Sequence, residues 1–496
     1  MRATIGHLGK GVAIYGAGEA AIQVVNLLLL PVYVKLGFLV EQDYGAISLI
    51  IAIEAIAKIL SRWGLDGAFM RYYHDRPRGG PLEQLTSTIV WFTLAADAVL
   101  FAALLGASGW IADALFPQHV TAFRLMLGNT FLISLTFVPF HIMRLRNEAT
   151  TYSALVFARS LGTVALRAIL VIGMGWGTAG LFGADLVVTL LLLPVLWRWF
   201  RPLVTRTFSR VELRTVLGFG LPRLPHGLAQ QALDAGNKLL LTRFVTLDQQ
   251  GVYQNGFTLG TAIRFFTSSF ETAWAPFYYA TSRQPDARVV FAKMTTYGVA
   301  VLTLLVGVTV AVSRDVILVM LTPGYLDAVP VIPFVALGMA AQGIYLLTSI
   351  GLNLTNRTRY YPIATFAALA VGLGAGLVLM PRFGITGAAI AFAASGLTQA
   401  SVAFALAQRF YPVAYETARL ARVVAAGALA TVAAMLIVPA WTPLASLATR
   451  LAITLVGFGA LLAVSGFFRK TERAFLQEVL SRLRRRAGNL GNADAG

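Results

Sequence analysis

The chain contains no cysteine, and only 12% of its 496 residues are charged. Without cysteine it has no disulfide, no thiolate metal site and no thiol nucleophile. Soluble domains carry about 25% charged residues, so this chain has too little polar surface to cover a water-soluble globule. It also lacks a phosphate-binding glycine loop, a His–Glu metal spacing and a nucleophile elbow. The sequence therefore predicts no enzymatic activity, no metal and no cofactor.

Apolar residues are abundant and make up 57% of the chain. They occur in runs long enough to cross about 30 Å of hydrocarbon as helices, without the period-two alternation of membrane strands. The sequence predicts an all-α polytopic membrane protein with about fourteen transmembrane helices. Their approximate ranges are residues 10–36, 44–66, 85–108, 120–143, 152–174, 178–199, 214–242, 251–279, 289–313, 328–354, 360–381, 383–408, 418–440 and 444–468.

The basic residues follow an alternating pattern along the chain. The formal net charge is +18, and most of the Lys and Arg side chains lie in every second loop. The positive-inside rule places these loops and both termini in the cytoplasm, as for a multi-pass protein of a bacterial inner membrane. Positive charge spread over short loops predicts no nucleic-acid binding. The loops of the opposite side contain only Lys35, Arg243, Arg314, Arg382 and Arg450.

The C-terminal tail, residues 469–496, is basic and also carries apolar residues at helical spacing. These are Phe475, Leu476, Val479, Leu480 and Leu483, opposite the arginines. The pattern is typical of a helix that lies on the anionic lipids of the cytoplasmic leaflet, and a solvated basic end is the alternative.

The chain contains an internal repeat. Gly45 corresponds to Gly251 and Tyr72-Tyr73 to Tyr278-Tyr279, each at an offset of 206 residues. The Gly177-x-x-Gly180 turn has a counterpart at nearly the same offset. The repeat pairs helices one to six with seven to twelve, and an even number makes the two halves parallel repeats. We predict two six-helix lobes, residues 1–213 and 214–413, then two extra helices in 414–468 and the basic tail in 469–496.

Ionisable residues within the predicted membrane segments are concentrated on helices one, two, seven and eight. They recur at spacings of three or four, which keeps them on one helix face. Because charges in hydrocarbon are costly, such stripes predict a hydrated cavity between the lobes. The predicted substrate-binding cations are Lys58, Arg62, Arg223, Lys238 and Arg264. The predicted coupling or charge-balancing carboxylates are Glu19, Glu54, Asp234 and Glu271.

A structural role is the alternative for each of these charges. Three pairs have the i,i+4 spacing of ion pairs within one helix: Glu54 with Lys58, Arg62 with Asp66, and Asp234 with Lys238. Other embedded charges have no partner in their own segment: Arg167, Asp97 and Asp185 stand singly. The sequence does not decide whether the carboxylates carry a coupling ion or only balance the cations.

Short motifs lie at the ends of the second, seventh and eighth segments. They are Tyr44-Gly45, Gly64-Leu65, Arg71-Tyr72-Tyr73, Gly218-Phe219-Gly220-Leu221-Pro222 and Gly251-Val252-Tyr253. With the length and the segment count, they resemble the polysaccharide transporter family. This family includes the O-antigen and exopolysaccharide repeat-unit flippases of the multidrug/oligosaccharidyl-lipid/polysaccharide exporter (MOP) superfamily.

The resemblance implies two lobes around a central cavity and transport by alternating access. The implied substrate is a polyprenyl-diphosphate-linked oligosaccharide, with Arg62, Arg223 and Arg264 as phosphate contacts. A polysaccharide polymerase and a chain-length regulator are the implied protein partners. A lipid II flippase and a multidrug–cation antiporter remain alternatives with a similar fold. A membrane glycosyltransferase would need large outer loops with acidic residues, and the loops of this chain are short.

Overall fold

The computed structural model describes residues 29–73, 81–146, 148–437 and 441–469, and within these ranges it contains helices and no strand. Ten helical segments of the described chain are long and apolar enough to cross a membrane, which confirms the all-α membrane fold. The helices of the first half are α1 (Glu41–Arg62), α2 (Leu65–Tyr72), α3 (Leu82–Gly106), α4 (Ser108–Leu115), α5 (Val120–Ser134), α6 (Phe137–Leu145), α7 (Ala149–Arg167) and α8 (Gly177–Phe200).

The second half repeats this all-helical pattern. Its helices are α9 (Arg210–Gly220), α10 (Leu224–Leu241), α11 (Leu247–Gly260), α12 (Arg264–Thr281), α13 (Ala287–Met320), α14 (Val331–Thr348), α15 (Ile350–Leu354), α16 (Tyr361–Phe410), α17 (Thr417–Ile437) and α18 (Pro443–Val464). A π-helical turn, Ala168–Gly173, extends α7, and short 3₁₀ turns join several neighbours, among them Leu221–Arg223 between α9 and α10.

Helix α16 is a helical hairpin. Its 50 residues would measure about 75 Å as one straight helix, more than twice the hydrocarbon thickness. At Gly384 the backbone has φ +52° and ψ −127°, which breaks the helix. Gly387 then packs directly on the carbonyl of Leu379, where a Cβ would overlap it. The two arms correspond to the predicted segments 360–381 and 383–408.

Two predicted segments are helical but are not among the ten, because each is divided into shorter and more polar helices. They are the α9–α10 pair and the α11–α12 pair, which carry the charges assigned above to the cavity. The first predicted segment, 10–36, lies largely outside the described residues, and only 29–35 are seen as helix. The number of fourteen therefore stays a prediction. The proposed tail helix also lies outside the described residues.

Helices α1 and α11 cross at their first turns with their backbones in contact. A Cβ on Gly45 would overlap the carbonyl oxygen of Leu247, and a Cβ on Gly251 would overlap that of Glu41. Only glycine permits this approach. Glu41 and Leu247 are themselves 206 positions apart, as are the two glycines. The contact is therefore self-complementary, like the interface of a two-fold symmetric dimer.

Hydrogen bonds across the same crossing obey the same symmetry. Gln42 Nε2 donates to Asp248 Oδ2 at 3.4 Å, and Ser48 Oγ donates to Gln254 Oε1 at 2.8 Å. Both bonds join residues 206 positions apart. The offset that the sequence repeat predicts thus recurs in space, because equivalent residues of the two repeats contact each other.

At its other end, α1 meets the second repeat again. Trp63 (φ +50°) and Gly64 (φ +68°) form a left-handed break between α1 and α2. A Cβ on Gly64 would overlap the carbonyl of Gly220, and one on Gly220 would lie 2.8 Å from the carbonyl oxygen of Trp63. Here α9 gives way to the 3₁₀ turn that contains Pro222, which has no backbone N–H to continue a helix.

The chain divides into two compact units. The larger comprises Met1–Ala280 and Val316–Pro412, and in it α1 packs on α10 and α11 while α10 packs on α16. The smaller comprises Thr281–Asp315 and Val413–Gly496. Within it α17 packs on α18, and Arg450 forms an ion pair with Asp315 at 2.8 Å. The division into two six-helix lobes, two extra helices and a basic tail remains a prediction.

Replacing Gly251 by valine should separate α1 from α11. The Cβ would displace the backbone of Glu41, and overpacking of this kind costs about 1–3 kcal/mol. Because the chain has no cysteine, Ser48→Cys gives a single reporter at a position that is fully buried beside the crossing. In proteoliposomes, thiol modification of this cysteine should be about tenfold faster in the Gly251→Val background.

Gly374→Val is the matched control, since a Cβ there would meet no atom within 4 Å. It should leave the modification rate unchanged. An unchanged rate in Gly251→Val, with the protein still eluting as a folded species, would show that this contact does not hold the crossing closed.

Candidate functional site

The charges predicted on the second segment form two ion pairs along α1 and into α2. Lys58 Nζ lies 2.7 Å from Glu54 Oε1, and Arg62 Nη1 lies 3.0 Å from Asp66 Oδ2. Both pairs have the i,i+4 geometry that the spacing predicts. Glu54 also accepts a hydrogen bond of 3.5 Å from Thr130 Oγ1 of α5, which links this side of α1 to its own repeat.

The charges on α10 and α12 combine differently from the sequence-based pairing. The Asp234–Lys238 spacing does not give an ion pair within 4 Å: the cation at that distance from Asp234 Oδ2 is Arg264, whose Nη1 on α12 lies 3.9 Å away. Lys238 is buried, and its ammonium lies 4.4 Å from the centre of the Phe257 ring of α11. A contact between α10 and α12 thus replaces the pair within α10, because the Arg264 guanidinium approaches the carboxylate from the neighbouring helix.

Arg223 lies where the two repeats meet at the far end of α1. Its guanidinium lies 4.2 Å from the centre of the Phe219 ring, and a Cβ on Gly67 of α2 would come within 2.8 Å of Nη1. The side chain is exposed. It therefore has an aromatic platform, and no carboxylate of the described residues lies within ion-pair distance.

In each of the three ion pairs the cation is more exposed than its carboxylate. The exposed fractions of the side chains are 37% for Lys58 against 14% for Glu54, and 41% for Arg62 against 31% for Asp66. They are 62% for Arg264 against 28% for Asp234. In each pair the cation is thus the partner that is more accessible to an approaching group.

Of the remaining predicted site residues, Glu271 lies exposed on α12, and Glu19 lies outside the described residues. Sequence reasoning also missed a polar cluster between α10 and α16. Gln399 Nε2 donates to Gln230 Oε1 at 3.1 Å, and Thr365 Oγ1 donates to the same oxygen at 3.4 Å. Thr365 and Gln399 are isolated polar residues in the apolar α16, so no helical spacing in the sequence indicated that they would form a cluster. Their mutual hydrogen bonds indicate a structural role.

Arg167 and Asp185, which stand singly in sequence, are partners in the structure. Arg167 donates two hydrogen bonds from Nη2 to the Asp185 carboxylate, at 2.8 and 3.1 Å, and so joins α7 to α8. This pair accounts for the deep arginine without a role in the cavity. Asp97 is fully buried in α3, and no cation of the described chain lies within ion-pair distance of it.

In fold, the protein is similar to solved transporters of the MOP superfamily. It superposes on the lipid II flippase MurJ, in an inward closed conformation, with a TM-score of 0.69 and 10% identity over 91% of this chain and 98% of that one. An inward-facing multidrug resistance MATE family transporter superposes with a TM-score of 0.57 and 15% identity, over 84% of this chain and 94% of that one. A MOP superfamily transporter from Pyrococcus furiosus superposes with a TM-score of 0.51 and 14% identity, over 84% of this chain and 96% of that one. Identities this low show the fold alone.

Sequence comparison supplies the family. No curated protein matches the chain. Residues 37–330, more than half of the chain, match the family described as polysaccharide biosynthesis protein. The chain belongs to this family, which confirms the resemblance drawn from its motifs. It is a multi-pass membrane protein of the flippase and transporter class.

The Arg167–Asp185 pair should behave as a structural unit. The pair is partly buried, with exposed fractions of 26% for Arg167 and 18% for Asp185, so removing one partner leaves a poorly solvated charge and costs about 1–3 kcal/mol. We therefore expect Asp185→Leu to lower the midpoint of thermal unfolding by several degrees. The double variant Arg167→Leu/Asp185→Leu should recover most of this loss and retain function. If the double variant is folded but inactive, Arg167 has a role beyond the pair.

Proposed function

We propose that this protein is a flippase that moves a polyprenyl-diphosphate-linked oligosaccharide across the bacterial inner membrane for surface polysaccharide synthesis. The observation that carries the proposal is the exposure of Lys58, Arg62 and Arg264 above their more buried carboxylates. Such a surface suits an anionic head group, because arginine makes paired, charge-assisted hydrogen bonds to phosphate. The polysaccharide biosynthesis family supports the choice of a lipid-linked sugar.

In this proposal Arg62, Arg223 and Arg264 contact the diphosphate. Arg62 and Arg264 exchange a carboxylate for phosphate when the substrate binds, and Arg223 is already free of a carboxylate among the described residues. Lys58 is held by Glu54 and adds positive charge beside them. Lys238 is buried against Phe257, so it contributes to the potential of the site more than to direct contact.

Alternating access requires the two ends of α1 to separate from the second repeat in turn. One end is closed by the Gly45–Gly251 crossing, and the other by the Gly64–Gly220 contact. Opening the second end admits substrate from the side of the basic loops, which we assign to the cytoplasm together with both termini. Opening the first releases it to the other side, where a polymerase and a chain-length regulator take over the product.

In this proposal the carboxylates of the site couple substrate transport to the movement of an ion. When phosphate takes the place of Asp234 beside Arg264, that carboxylate loses its cation and gains affinity for a proton or a metal cation. We propose Glu19, Glu54, Asp234 and Glu271 as the groups that carry a coupling ion or balance the charge. Each net charge that crosses is driven by about 2.3 kcal/mol per 100 mV of membrane potential.

A lipid II flippase is the second candidate, favoured by the likeness to the MurJ structure over 91% of this chain. Gene deletion separates the two. Loss of surface polysaccharide in viable cells supports repeat-unit export, whereas arrest of growth with osmotic fragility supports the lipid II substrate. Drug sensitivity without either change would support a multidrug antiporter.

Replacing Arg62 or Arg264 by alanine should reduce surface polysaccharide at least about tenfold, because each loses charge-assisted hydrogen bonds worth about 1.5–3 kcal/mol. Lipid-linked oligosaccharide should accumulate facing the cytoplasm. Arg264→Lys should recover only part of the activity, since lysine keeps the charge but loses the planar fork. Protein amount in the membrane is measured in parallel.

The control is Arg283→Ala, which removes an exposed arginine that follows α12 and lies outside the site. It should leave polysaccharide export at the parental level. Full export in both Arg62→Ala and Arg264→Ala at normal protein amounts would remove these side chains from the transport path.

A further inference from the structure

A large apolar pocket is lined by none of the charged residues discussed above. Its volume is about 650 Å³, a size typical of ligand sites, and it is enclosed by α3, the junction of α5 and α6, and α8. None of the predicted site charges lies on these helices. Two tryptophans of its wall, Trp91 and Trp197, are exposed, as apolar side chains on the lipid-facing side of a membrane helix are. Lining residues include Trp91, Leu94, Leu135, Pro139, Leu193 and Trp197.

Five exposed arginines follow the pocket along the chain, and we call them the arginine platform. The wall includes Trp197, Phe200 and Val204, so the platform begins within the lining sequence itself. No carboxylate of the described residues lies within ion-pair distance of any of these guanidinium groups. They are therefore available to an external anion. The platform consists of Arg198, Arg201, Arg206, Arg210 and Arg214.

Hydrogen bonds hold the platform at the pocket. Trp91 Nε1, in the pocket wall, donates to the carbonyl oxygen of Thr205 at 2.9 Å. The Thr205 N–H donates to Ser87 Oγ at 2.8 Å, and the Ser209 N–H donates to Thr88 Oγ1 at 3.0 Å. The segment between α8 and α9 is thus fixed to α3. Apolar wall and basic platform form one pre-organised structure, which lowers the ordering cost of binding.

We propose that this pocket and platform bind an anionic phospholipid of the adjacent leaflet. One acyl chain fills the pocket, and the phosphate of the head group lies on the arginine platform. The chemistry of each part matches: the wall is almost wholly apolar, and guanidinium groups bind phosphate oxygens in pairs. Because the pocket faces the bilayer on helices that carry no site charge, its occupant is a membrane phospholipid and not the transported substrate.

The test uses phospholipids with brominated acyl chains, which quench tryptophan emission on contact. The full chain is reconstituted in phosphatidylcholine vesicles with small fractions of brominated phosphatidylglycerol or brominated phosphatidylcholine of identical chains. Quenching that is lost on Trp197→Phe reports occupation of the pocket. We expect half-maximal quenching at about a tenfold lower mole fraction of phosphatidylglycerol than of phosphatidylcholine.

Two variants locate the site. Arg201→Gln/Arg206→Gln should abolish the preference for phosphatidylglycerol, whereas Arg357→Gln/Arg359→Gln, which removes two exposed arginines elsewhere, should keep it. Leu94→Phe/Leu193→Phe should weaken quenching by narrowing the pocket. Its control is Leu191→Phe/Val195→Phe, on exposed positions of α8 outside the pocket.

Equal quenching by the two phospholipids overturns the proposal, as does a preference that survives Arg201→Gln/Arg206→Gln. Polyprenyl phosphate is added as a competitor. If it displaces brominated phosphatidylglycerol at a lower mole fraction than unlabelled phosphatidylglycerol does, the pocket belongs to the isoprenoid chain of a substrate, and the phospholipid assignment is wrong.

Discussion

The arrangement of the helices depends on direct backbone contact between α1 and the second repeat, at both ends of α1. At one end Gly45 and Gly251 bring α1 and α11 together, and at the other Gly64 meets Gly220. Any side chain at these positions would overlap a carbonyl group. Glu54, Lys58 and Arg62 of α1 lie between the two contacts. Glycine is thus required here for close approach, not for flexibility.

The symmetric crossing also explains why the two repeats share an arrangement of charge. Residues 206 positions apart contact each other across α1 and α11, as Gln42 and Asp248 do. Elements next to such an axis approach each other from both repeats. Hydrocarbon excludes unpaired charge, so each repeat supplies carboxylates beside its cations. In each of the three pairs the carboxylate is less exposed than its cation.

The sequence was sufficient for the helices and for part of the site. Hydrophobic runs of membrane length predicted the segments, and the Gly384 break lies where two adjacent runs were separated. Pairs within one helix, such as Glu54 with Lys58, followed from spacing. Pairs between helices did not. Arg167 forms an ion pair with Asp185 of the next helix, and Asp234 lies within ion-pair distance of Arg264 of another helix. The packing between helices determines these contacts, and a single sequence does not show how its helices pack.

The protein therefore has two kinds of arginine: those paired with a carboxylate and those without one among the described residues. Each kind suits the ligand that we propose for it. In the proposed cycle Arg62 returns to Asp66 and Arg264 to Asp234 when a bound anion leaves, so the pairing makes binding reversible. A conformational cycle needs that reversibility, since a ligand drives a change only through a difference in affinity between states. The arginines around Thr205 have no such partners among the described residues and sit on a segment fixed to α3. Unbalanced charge on a fixed support favours an anion that stays bound, which is what a structural lipid does and a transported one does not.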